Sequence, residues 1–135
     1  VPGLYLLDVV PDGEVRFGFP NIADNAEIVE LAASGAHLIL FSTGRGSVVG
    51  AALTPVIKVC ANPWTYRRLA ADMDVNAGRI LEGEATLDQV GEEIVHLVRA
   101  VASGERTVSE ALGHQEFLLT YKSFEPLGPG CLPGR

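Results

Sequence analysis

Long apolar runs are missing from this 135-residue chain. No stretch approaches the ~20 apolar residues needed to span a bilayer. No signal-peptide pattern opens it either, so neither a membrane nor a secretory route is expected. Cysteine is scarce: Cys60 lies in an apolar run and Cys131 in a Gly/Pro-rich tail. Two such residues make no disulfide framework for a domain of this size and no metal knuckle, and a reducing, cytoplasmic setting is the default. Clustered basic charge is also absent. The longest basic run, Arg67-Arg68, reads as the solvated face of a helix, and a net charge of −7 argues against a nucleic-acid partner.

What is present is a hydrophobic content of 47%, enough to bury one globular core. Val1 stands where an initiator Met would, and a strand-like run begins within a few residues, so the sequence reads as a piece of something longer.

Strand and helix signals alternate along it. Leu4 to Val10 reads as a first strand closed by Pro11-Asp12-Gly13. Asp24 with Glu27 matches a capping box, Ile28, Leu31 and Ala32 form a helical stripe, and Gly35 falls where a helix ends. Ala36 to Phe41 predicts a second strand, apolar throughout and so expected to be covered on both faces. After a loop over Ser47 to Thr54, Val56 to Cys60 predicts a third.

Asn62-Pro63 then opens a helix with Tyr66, Leu69, Ala70 and Met73 on one face. Val75 to Leu81 suits a short strand or an irregular crossing. Thr86 with Gln89 caps a long helix striped by Leu87, Val90, Ile94, Leu97 and Val101 and ending at Gly104. Thr107 with Glu110 caps a short one ending at Gly113. Gln115 to Thr120 can form a last strand, and the Pro/Gly-rich end, from Pro126, buries little. The expected fold is α/β, a three-layer Rossmann-like arrangement with a mainly parallel sheet of four to five strands flanked by helices.

Ligands of such sheets bind outside the carboxyl ends of the strands. There the run Ser42-Thr43-Gly44-Arg45-Gly46 combines hydroxyls, small residues that let N–H groups approach an anion, and a planar cation for carboxylate or phosphate. It fits neither the phosphate-loop nor the dinucleotide pattern, and a plain turn with a solvated arginine is the alternative. Lys58, alone in an apolar strand, must meet water or a carboxylate, either the protein's or a substrate's, with proton transfer a further option. Asn62 is a helix cap that can also face an anion, and Asn76 supplies turn geometry or a ligand. His114, after a helix-ending glycine, is either a solvated side chain or a proton carrier.

Several blocks together carry a resemblance. They are Gly3 to Asp8, Leu40 to Gly46, Pro55 to Val59 with Asn62-Pro63, Asp74 to Gly78, Ala102 to Glu105, and Glu110 to Phe117. In this order they resemble the carboxyl-terminal part of the altronate/galactarate dehydratase family. The likeness covers residues 3–122, leaving 123–135 as a flexible tail.

The resemblance implies a sugar-acid hydro-lyase, with sulfolactate sulfo-lyase relatives, and a divalent metal, Fe2+ or Mn2+, held outside this segment. It also implies remaining domains or a small subunit as partners, a possible homodimer, and a fragment inactive alone. The reaction would be β-elimination to a 2-keto-3-deoxy acid. Ser42, Thr43, Gly44, Arg45, Gly46, Lys58, Asn62 and Asn76 would contact substrate, with Lys58 and His114 the candidates for proton transfer. An acidic-ligand binding or assembly domain is the rival reading, and a phosphate-binding module a third.

Overall fold

The computed structural model describes residues 3–8 and 23–118. Three parallel strands form its sheet: β1 (Ile39–Thr43), β2 (Val56–Cys60) and β3 (Val75–Asn76), side by side in that order. Five rungs join β1 to β2, from Ile39 opposite Val56 to Thr43 opposite Cys60; Cys60 in turn pairs with Asn76. The carboxyl ends of all three strands therefore lie in one row.

Helices pack on both faces. Because side chains alternate along a strand, Val56 and Ile57 point to opposite sides. Val56 joins Ile28 of α1 (Asp24–Ala33), Ile39 and Val49 in one core cluster. Ile57 joins Val75 with Val90 and Val101 of α3 (Leu87–Ala102) in the other. The remaining helices are short: α2 (Pro63–Arg68), a 3-10 turn over Ala77–Ile80, and α4 (Val108–Leu112).

Local chemistry explains most of these boundaries. The Asn62 carboxamide oxygen accepts the N–H groups of Trp64 and Thr65 (2.9 and 3.2 Å), and Pro63 takes the first helical position, where a missing N–H costs nothing. Reciprocal capping boxes hold Thr86 to Gln89 and Thr107 to Glu110. Helices α1, α3 and α4 each close with paired bonds from the C-terminal residues back into the last turn, for example His114 N–H to Ser109 O (2.9 Å) and Gly113 N–H to Glu110 O (3.2 Å).

Several expectations are corrected. Helix α1 is capped by Ala23, without a side-chain bond; Asp24 and Glu27 lie inside its first turn, where carboxylates favour the positive helix end. The second strand starts at Ile39 rather than Ala36, because Ala36 N–H is still spent closing α1 on Leu31 O. It is also not covered on both faces: Leu40 is 52% exposed, since α3 lies over Ile57 and Val75 and stops short of it. Helix α2 ends before its stripe does, although Met73 is still buried beyond the helix. Leu87, at the edge of the α3 stripe, is exposed.

Leu4 to Asp8 belong to no strand and are exposed, while Val9 and Val10 lie outside the described residues. Gln115 to Leu118 are likewise not a strand; Leu119, Thr120, the Pro11-Asp12-Gly13 turn and the tail lie outside the described residues. Among the described residues the sheet has three strands rather than four to five.

The two threonine caps differ in depth, which gives a ranking. Thr107 is 1% exposed and also bonds Ser109 Oγ (3.1 Å), whereas Thr86 is exposed and serves only its cap. In the intact protein, Thr86→Ala should cost about 1 kcal/mol and Thr107→Ala about twice that, read by chemical denaturation; the reverse order would contradict the packing.

Candidate functional site

Strand β1 delivers its polar residues to the sheet's carboxyl edge. Thr43 Oγ1 accepts the Gly46 N–H (3.0 Å), Thr43 O accepts the Ala61 N–H (2.9 Å), and the Gly44 carbonyl accepts Thr65 Oγ1–H (3.0 Å). Gly46 has φ +82°, and a Cβ there would lie 2.4 Å from Leu69 Cδ1 and 2.9 Å from Thr65 Cγ2. Only glycine allows both the left-handed backbone and this approach to α2. The turn after β1 and the helix after β2 are thus locked together into one corner.

Arg45 projects from this corner as an exposed cation, and among the described residues it has no ion-pair partner. Ser42 and Gly44 are exposed beside it. Asn62 is at the neighbouring strand end with its oxygen committed to the cap, leaving its amide hydrogens to donate. Asn76 completes the row: its Oδ1 is buried and has no hydrogen-bond partner among the described residues. A Cβ on nearby Gly78 would come within 2.5 Å of Pro63 N, so the β3 end and α2 also touch.

Lys58 goes elsewhere. Its side chain is fully buried on the α1 face of β2 and its Nζ reaches the Val48 carbonyl (3.4 Å), two residues beyond Gly46. No carboxylate of the described residues forms an ion pair with it. Burial pushes its pKa below the ordinary 10.5, a pull only partly offset by Asp74, Asp72 and Glu116. His114 Nδ1 meets the same Val48 carbonyl at 2.5 Å. The candidate residues therefore divide between the corner and this second point one loop away.

Two further residues at this second point lie in the resemblance blocks but are singled out by no spacing. Asp74 accepts the Lys58 backbone N–H through Oδ2 and the Val108 N–H through Oδ1, both at 2.8 Å, and so ties β2 to the start of α4. Glu116 Oε2 accepts the Gly50 N–H (3.1 Å). Burial alone would raise the Glu116 carboxyl, but bonds from its own and the Gly50 N–H, with His114 and Lys58 nearby, hold it below the usual range. Spacing points to neither, since both act on backbone far away in the chain.

A concavity of about 960 Å³ runs along α3 past Leu87, Gly91 and Val95 and includes none of the corner. No group of three or more His, Cys, Asp or Glu among the described residues could hold a metal ion, so the divalent metal implied by the resemblance does not fit these residues. No helix among them is long and apolar enough to cross a membrane.

Residues 2–124 match the family model for the C-terminal part of D-galactarate/altronate dehydratase. The chain belongs to this family. It is 44% identical over 120 residues to the (2R)-sulfolactate sulfo-lyase subunit beta of Chromohalobacter salexigens, covering 88% of this chain and 28% of that one. It is 40% identical over 82 residues to the galactarate dehydratase (L-threo-forming) of Escherichia coli, covering 60% and 16%, and 33% identical over 93 residues to that organism's altronate dehydratase, covering 69% and 18%. The chain thus spans less than a third of the length of each of these relatives, and it shares a lyase family with them.

The buried ammonium makes stability depend on pH. An unfolded chain keeps this proton up to the ordinary 10.5, whereas the fold gives it up earlier. Across that window the unfolded state binds more protons, so raising the pH favours the fold. Denaturation of the intact protein at stepped pH should show a gain in stability toward pH 10.5 that Lys58→Met lacks; parallel curves for the two proteins would refute it.

Proposed function

We propose that this chain is the carboxyl-terminal part of a lyase that eliminates a β-substituent from a 2-hydroxy acid. The substrate is a sugar acid of the altronate or galactarate type, and the product a 2-keto-3-deoxy acid. The corner of Thr43 to Gly46 supplies the anion half of this chemistry. The Arg45 guanidinium takes the substrate carboxylate, and Ser42, Thr43, Asn62 and Asn76 take hydroxyls along the row of strand ends. A carboxylate held by a cation and N–H donors is stabilised most when the α-proton leaves and its oxygens gain charge.

The observation that carries the reading is an exposed arginine, without an ion-pair partner among the described residues, on a corner locked by Gly46, in a chain whose family is named for such dehydratases. The divalent metal, Fe2+ or Mn2+, then resides in other parts of a cytoplasmic enzyme, which also include the remaining domains or a small subunit. A second reading, elimination of sulfite from a sulfolactate, is favoured by the 44% identity over 88% of the chain. Both substrates present a carboxylate next to a C–H bond, so the corner serves either.

The test is a complete enzyme offered altronate, galactarate and (2R)-sulfolactate, with keto-acid formation followed. One of them should be turned over. Arg45→Ala should lower kcat/KM by about ten- to a hundredfold, the effect of losing one charge-assisted hydrogen-bond partner, with Arg45→Lys in between. Activity on none of the three, or unchanged kinetics in Arg45→Ala, would remove respectively the reaction and the role of the arginine.

A further inference from the structure

We propose that His114 is the proton acceptor of this elimination, acting through Nε2; the assignment rests on the lyase reading above. A carbonyl oxygen can only accept, so the contact from Nδ1 to Val48 O requires the hydrogen on Nδ1. In the neutral ring the lone pair is then on Nε2. The tautomer is fixed by the fold, as a base at a C–H bond requires.

The ring is held from several directions. Gly113, at φ +75°, ends α4 and turns the chain so that His114 N–H bonds Ser109 O. The loop receiving the ring is itself clamped. Lys58 Nζ reaches the same Val48 carbonyl, Glu116 Oε2 takes the Gly50 N–H, and a Cβ on Gly50 would collide with His114 O at 2.6 Å. Val48 follows Gly46 by two residues, hence within about 8 Å between Cα atoms. His114 is half-buried, whereas Lys58 is fully enclosed, so of the two basic side chains the imidazole is the one that a bound ligand can meet.

With a sugar acid's carboxylate on Arg45, the imidazole takes the C2 proton. The C2–H electron pair moves into the carboxylate, then returns to form C2=C3 as the C3–O bond breaks. The departing hydroxide takes up the proton from Nε2 and leaves as water, and the resulting enol tautomerises to the 2-keto-3-deoxy acid. No oxidant or reductant is consumed.

Asparagine separates structure from chemistry at this position, because its amide can still donate to Val48 O but cannot take a proton. In the complete enzyme, His114→Asn should lower kcat at least a hundredfold, leave KM within about threefold, and abolish exchange of the substrate C2 hydrogen with deuterated solvent. If His114→Asn does not fold, the same measurements on His114→Gln decide. A folded variant that keeps kcat within a few-fold, or still exchanges the C2 hydrogen, overturns the assignment while an active wild-type enzyme leaves the lyase reading standing. A wild-type enzyme that eliminates from no hydroxy acid overturns both.

Discussion

One carboxylate holds strand β2 and the start of α4 in register. Asp74 lies just before β3 and spends its two oxygens on backbone N–H groups of Lys58, 16 residues before it, and Val108, 34 residues after it. Its own N–H returns to Lys58 O at 3.0 Å. Charge-assisted bonds of this type are worth about 1.5–3 kcal/mol each, more than most single contacts in a domain of this size. Through Val108 the carboxylate fixes where α4 starts, and a five-residue helix then determines where His114 emerges. Through the Lys58 N–H it fixes the strand position from which the Lys58 ammonium donates to the Val48 carbonyl.

Much of this is legible in the sequence because it is local. The caps at Asn62, Thr86 and Thr107 and the helix ends at Gly35, Gly104 and Gly113 depend on residues within a turn of one another, and spacing exposes such pairs directly. Strand β2 stands where its apolar run places it. Composition misleads where a segment's fate depends on distant partners. Leu4 to Val10 has strand composition, yet composition provides no neighbouring ladder, and its described part remains outside the sheet. Leu40 looks like a core residue and is not, because the position of α3 decides which part of the sheet is covered.

The site follows the same division. A glycine- and hydroxyl-rich turn after an apolar strand is visible in the sequence, and its meeting with Asn62 follows from parallel pairing. Lys58 is conspicuous for the right reason, a charge among apolar residues. Its destination, a backbone carbonyl in the loop after the turn, is not readable. Asp74 and Glu116 are silent because each serves N–H groups, and every residue type except proline offers one. The family itself is readable only from several blocks taken in order, no one of which is specific.

The inventory of the corner explains why it needs a counterpart. Its available groups are a guanidinium, amide hydrogens and hydroxyls, with the buried Asn76 oxygen beside them: donors and weak neutral acceptors, and no basic group. Donors recognise a carboxylate and hold it as charge builds on its oxygens, but they cannot draw off the α-proton. That requires a basic lone pair, which in the proposed reaction is Nε2 of His114, the ring whose Nδ1 meets the carbonyl of Val48 two residues beyond Gly46. Separating the two tasks is chemically sound: a base placed among the cations of the corner would be tied up by them, whereas one supported by a neutral carbonyl stays available. In that proposal the loop from Gly46 to Gly50, which receives the ring, sets how the proton acceptor stands to the bound acid group.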